Sequence, residues 1–118
     1  MFLERLSRIS DRIPGALAVS LVDGDGIAVE SYASDGSFDL ELLAAELVAQ
    51  IRAISDDHRD LAVGEVRQLT VSTDRVTLVV SSVGDGYYLL LVLAPEGNLG
   101  RARFELRRAE LLLAADLP

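Results

Sequence analysis

Residues 37–54 read SFDLELLAAELVAQIRAI, and this stretch decides how the rest of the chain must be arranged. On a helix, Leu40, Leu43, Leu47, Ile51 and Ile54 fall within one arc wide enough to cover a sheet. A second apolar stripe, Phe38, Leu42, Ala45, Ala49 and Ala53, runs along the opposite side. A helix apolar on two opposed faces needs two surfaces to bury against. The small residues in the middle of the second stripe let another helix approach closely. One face is therefore expected on the chain's own sheet and the other on a second copy of the chain. The alternative is a helix sandwiched wholly inside one domain, since helices apolar all round are often simply buried.

The flanking sequence supplies the sheet. Upstream, Phe2, Leu3, Leu6, Ile9 and Ile13 recur at helical spacing until Pro14-Gly15 stops the helix. Ala16–Val22 reads as a strand, Asp23-Gly24-Asp25-Gly26 as a tight turn, and Ile27–Ala33 as the second strand of a hairpin. Ser37 is the expected N-cap of the long helix, with Asp39 and Glu41 in its first turn, where the dipole favours acids. Ser55–Asp60 reads as a polar, exposed, mobile loop.

Three strand-like runs follow. In Val66–Ser72 the alternation is imperfect, with Val66, Gln68 and Thr70 facing one way, which suits an edge strand. Arg75–Ser82 comes after a turn at Thr73-Asp74. Tyr87–Leu93 is apolar at every position, so it belongs in the middle of a sheet covered on both sides, with one tyrosine ring on each face. Pro95 ends that strand, and Asn98 caps a last helix from Leu99 to about Ala115. Its expected inward residues are Leu99, Ala102, Leu106, Ala109 and Leu113; Arg101, Arg103, Glu105, Arg107 and Arg108 are expected outward. The order α-β-β-α-β-β-β-α predicts an α+β domain spanning 1–118. Its five-stranded, mainly antiparallel sheet carries one helix on one face and two on the other.

Composition narrows the function. At 118 residues, half of them apolar, the chain holds one real core and is not disordered. With no Cys there is no disulfide framework and no thiolate metal site. Charges at Glu4, Arg5 and Arg8 break any signal-peptide core, and no apolar run approaches bilayer length, so a soluble cytoplasmic protein without membrane insertion is expected. Net charge is −8 and uneven: residues 13–96 hold four Arg against 14 acids, while each end is slightly positive. An acidic body repels phosphate backbones, which argues against nucleic acid.

No catalytic constellation stands out. An EF-hand loop starting at Asp23 requires Gly at its sixth position and an acid at its twelfth, yet Ala28 and Ser34 stand there. Neither glycine-rich turn extends to a dinucleotide fingerprint, and a chain without Lys has no P-loop. His58 is the only histidine, in a segment lacking the apolar residues that hold a triad ring rigid, and no zinc site forms from one His. Neither a cofactor nor an enzymatic activity is expected.

The hairpin VDGDGIAV (22–29), the helix LELLAAELVAQI (40–51) and the block DGYYLLLVLAPEGNLGRARFELRRA (85–109) together resemble the Roadblock family, of the dynein light chain type, along the whole chain. Stand-alone bacterial and archaeal members, such as gliding-polarity GTPase-activating proteins, have about this length. The resemblance implies a Roadblock/profilin-like fold and a homodimer, with middle helices packed across the two-fold axis and third strands paired into one continuous sheet. The implied interface comprises Phe38, Leu42, Ala45, Ala49 and Ala53 with Val66, Gln68 and Thr70. Antiparallel packing of Ala45 near Ala49 also sets Glu41 of one copy against Arg52 of the other.

Family members typically bind Ras-like small GTPases as regulators or scaffolds. That points to Asp39, Glu46, Gln50, His58 and Arg59 as the partner surface, with Arg52, Arg59 or Arg75 as a conceivable arginine finger. Two other functions compete: a light-chain-type structural subunit without GTPase contact, and a small-molecule sensory domain. A core of Leu, Val and Ala without convergent polar groups speaks against the last.

Overall fold

The computed structural model describes residues 2–34, 36–58 and 61–117, without the side chains of Asp57 and His58. Its elements run α1 (Phe2–Arg12), β1 (Ala16–Asp23), β2 (Ala28–Ala33), α2 (Leu40–His58), β3 (Gln68–Ser72), β4 (Thr77–Val83), β5 (Tyr87–Leu93) and α3 (Leu99–Ala114). The five strands form one sheet in the order β2-β1-β5-β4-β3, and every neighbouring pair is antiparallel. The all-apolar strand β5 is central, and β3 lies at an edge, as their patterns require.

Alternation along the strands makes two cores. Val19, Leu21, Val79, Leu89, Leu91 and Leu93 face α1 and α3, meeting Leu6, Ile9, Ile13, Ala102, Leu106 and Leu113. Ala18, Val22, Leu78, Val80, Leu90 and Val92 face α2, meeting Ala44, Leu47, Val48 and Ile51. Each fully buried aliphatic side chain contributes about 1.5–3 kcal/mol of transfer free energy, so both layers are substantial. Tyr87 packs on the first core and Tyr88 on the second. Within the α2 layer, Ser20 and Ser31 bond hydroxyl to hydroxyl at 2.8 Å, which satisfies two polar groups where no water reaches Ser20.

Several boundaries differ from the sequence reading, each for a local reason. The cap of α2 is Asp39, not Ser37: its Oδ1 accepts from the Leu42 amide at 3.1 Å, so Asp39 precedes the first turn rather than lying in it. The helix also runs on through Ser55, Asp56 and Asp57 to His58, where a loop was expected; no Gly or Pro interrupts it. Strand β2 starts one residue late because the Ile27 amide is held by Asp23 Oδ1 at 3.0 Å. Strand β4 starts at Thr77 because the Thr73 hydroxyl takes the amides of Arg75 and Val76, closing a tight turn. Asn98 caps α3 as expected, accepting from the Arg101 amide at 2.9 Å. Glu105, expected outward, is buried in the α1–α3 layer.

Candidate functional site

The outward face of α2 is the site that the sequence singled out. Leu42, Ala45, Ala49 and Ala53 are all exposed along it, and Leu42 keeps 59% of its surface open. Glu41, Glu46, Gln50 and Arg52 flank the same stripe and are exposed too. Phe38 departs from this group: it precedes the helix and is half-buried on the α2-side core. The inward arc is wider than the leucine and isoleucine spacing alone implied, because Ala44 and Val48 complete it.

The β1–β2 turn supports this face from one flank. Asp23 Oδ1 accepts from the amides of Asp25 and Ile27, so the carboxylate is consumed by the turn itself. Gly26 has φ +83°, and a Cβ there would lie 3.0 Å from the Ala45 Cα. Only glycine permits both the left-handed backbone and this close approach. From the same turn, Asp25 Oδ1 lies 3.6 Å from an Arg52 terminal nitrogen, an exposed and loosely held pair. Within one chain, then, Arg52 answers to Asp25.

At the C-terminal end of α2 the surface dips into a groove of about 680 Å³, lined by Arg52, Ser55, Asp56, Ala62, Glu65 and Tyr88 among others. Ala62 holds φ +58°, a left-handed conformation that costs a non-glycine residue roughly 1–2 kcal/mol. Its neighbours Leu61 and Val63 are both exposed. Sequence reasoning overlooked them; three apolar residues in a row within a linker were the available signal. Ile27, exposed beside the Gly26–Ala45 contact, was overlooked as well.

The β3 edge is less uniform than expected. Leu69 and Val71 pack on the α2-side core, while Thr70 accepts from an Arg103 terminal nitrogen at 3.4 Å, which places it on the α3 side. Val66 precedes the strand and packs on the α2-side core, so it does not share a face with Gln68 and Thr70. Alternation breaks there because the regular pairing begins only at Gln68. Of the residues expected to meet a partner protein, Asp39 serves as the helix cap, and Glu46 and Gln50 are exposed on α2. His58 is the last residue of α2, while its side chain and Arg59 lie outside the described residues.

Among the described residues, no group of three or more His, Asp or Glu is placed to hold a metal ion. No described helix is long and apolar enough to cross a membrane.

Comparison with known proteins agrees with this arrangement. The Roadblock/LC7 domain family matches residues 3–94. The chain belongs to that family. Among solved structures, a Roadblock/LC7 domain from Streptomyces avermitilis superposes with a TM-score of 0.87 at 20% identity, covering 97% of this chain and 95% of that one. The gliding protein MglB from Thermus thermophilus superposes at 0.86 with 22% identity, covering 95% and 84%. MglC from Myxococcus xanthus is 30% identical over 98% of both chains, with a TM-score of 0.71. No curated protein sequence matches the chain.

Proposed function

We propose that this Roadblock chain is a homodimeric platform that binds a Ras-like small GTPase and regulates it without a catalytic centre of its own. The observation that carries this reading is the open stripe Leu42, Ala45, Ala49 and Ala53 on α2. A second copy packed antiparallel on that stripe covers the leucine, and the alanines permit close approach. Pairing of β3 edges alongside extends the sheet across the two-fold axis and removes an exposed edge. In such a dimer Glu41 comes opposite Arg52 of the other copy, and the weak intrachain contact to Asp25 is easily exchanged.

The GTPase surface is then composed from both copies, with Glu46, Gln50 and the groove beside Tyr88 at its margins. Regulation by repositioning the GTPase's own residues requires no inserted arginine from this chain. The test is copurification from native lysate with tagged wild-type chain and with Glu46→Lys/Gln50→Lys, followed by GTP turnover with and without the chain. A Ras-like GTPase retained by the wild type and lost by the variant supports the proposal. Retention without any change in turnover reduces it to a scaffold, and no GTPase in either eluate removes it.

A further inference from the structure

The side of the sheet away from α2 carries a second unpartnered surface. On α3, Phe104, Leu111 and Leu112 are 61%, 69% and 60% exposed. A spacing of seven places Phe104 and Leu111 on one side of the helix, opposite its buried residues, while Leu112 lies on the flank next to Glu105, toward α1. So α3 is apolar on two faces, as α2 is.

Charge distinguishes this surface from every other part of the chain. Helices α1 and α3 together carry seven arginines against four acidic residues; the remainder carries four against fifteen. Between the two helices runs a groove of about 240 Å³, floored by Ile9 and Leu113, walled by Leu112, and rimmed by Arg8, Arg12 and Arg108. Arg5 is paired with Asp116, and Arg101 and Arg108 both lean on Glu105, at 3.2 and 3.8 Å. Among the described residues, the guanidinium groups of Arg8 and Arg12 have no acidic partner. Glu105 also lines the groove, and it is only 3% exposed. Its Oε1 makes no hydrogen bond, because the nearby Arg101 nitrogen attracts it without being aligned to donate. The charge of Glu105 is compensated by Arg101 and Arg108, which leaves Arg8 and Arg12 as the groove's uncompensated cations.

We infer that the α1–α3 groove docks an acidic amphipathic helix from another protein. Its apolar side chains fit Leu112 and the groove floor, and its carboxylates meet Arg8 and Arg12. A bilayer is a poor occupant, since a flat surface does not reach a concave floor and the body carries a net charge of −8. A second copy docked by this same face sets arginine against arginine across the two-fold axis. The inference does not depend on α2 or on the GTPase, which occupy the other side of the sheet.

The test uses the isotope-labelled full chain and a stapled synthetic helix of leucine and glutamate, with a scrambled isomer and a lysine-for-glutamate version as controls. Expected are amide shifts confined to α1 and α3, and affinity at least about tenfold above both controls. Arg8→Glu/Arg12→Glu and, separately, Leu112→Asp are each expected to lose about tenfold or more, with the wild-type melting curve retained. These side chains lie at the groove's rim and wall, and the gentler Arg8→Gln/Arg12→Gln serves if charge reversal harms folding. The inference is overturned by shifts on α2 or β3, by equal binding of the scrambled peptide, or by no saturable binding. It is equally overturned if the chain sediments with phosphatidylserine vesicles but ignores the peptide, or if Leu112→Asp abolishes self-association.

Discussion

Leu42→Ala separates a shared helix face from a merely greasy one. In the single chain Leu42 has 59% of its surface open, so truncating it removes little that the protomer itself buries. Full burial of a leucine is worth about 1.5–3 kcal/mol, so the open fraction represents roughly 1–2 kcal/mol when a second copy covers it. A two-fold axis counts the change twice, for about 2–4 kcal/mol, or a rise of roughly 30- to several-hundred-fold in the dimer dissociation constant. Sedimentation equilibrium over a wide concentration range measures this directly. The control is Leu47→Ala on the buried face of the same helix, which costs about 2–5 kcal/mol of folding stability whatever the oligomeric state. A wild-type chain that stays monomeric at high concentration refutes the reasoning. So does a dimer whose dissociation constant ignores Leu42→Ala.

Three further outcomes follow from the same geometry. A double-mutant cycle with Glu41→Ala and Arg52→Ala on dimer dissociation is expected to return coupling of no more than about 1 kcal/mol, as for other exposed pairs; zero coupling leaves Arg52 to Asp25 alone. Gly26→Ala places a Cβ 3.0 Å from the Ala45 Cα on a left-handed backbone, and urea denaturation should register a loss of roughly 1–2 kcal/mol. An unchanged midpoint would mean that the turn does not press on α2. Asp39→Ala removes the α2 cap and is expected to cost about 1 kcal/mol, most of it restored by Asp39→Asn, as read from thermal melts.

What the sequence determined by itself was whatever follows from period and local chemistry. Seven apolar residues in succession put Tyr87–Leu93 at the sheet's centre, because only a strand covered on both faces tolerates them. The Gly-Asp turns set the hairpin, Asn98 set the start of the last helix, and the double stripe on residues 38–53 was visible before any coordinate. The reach of α2 was not legible, since Ser55–His58 carries polar residues that suit an exposed helical turn as well as a loop.

Only the tertiary structure decided which polar groups meet. Glu105 looks like an outward residue on its own helix, and it is buried because α1 lies against that flank. Arg52 finds Asp25 from 27 positions away, since the β1–β2 turn closes on α2 where Gly26 leaves room. The second apolar face of α3 was hidden by arginines, whose charges read as solvent-facing while Phe104 stood between them and Leu111 followed one turn on. Hydrophobic period reports which side of an element is buried first. Contacts between elements distant in sequence depend on how the layers are stacked, and that stacking is a property of the folded whole.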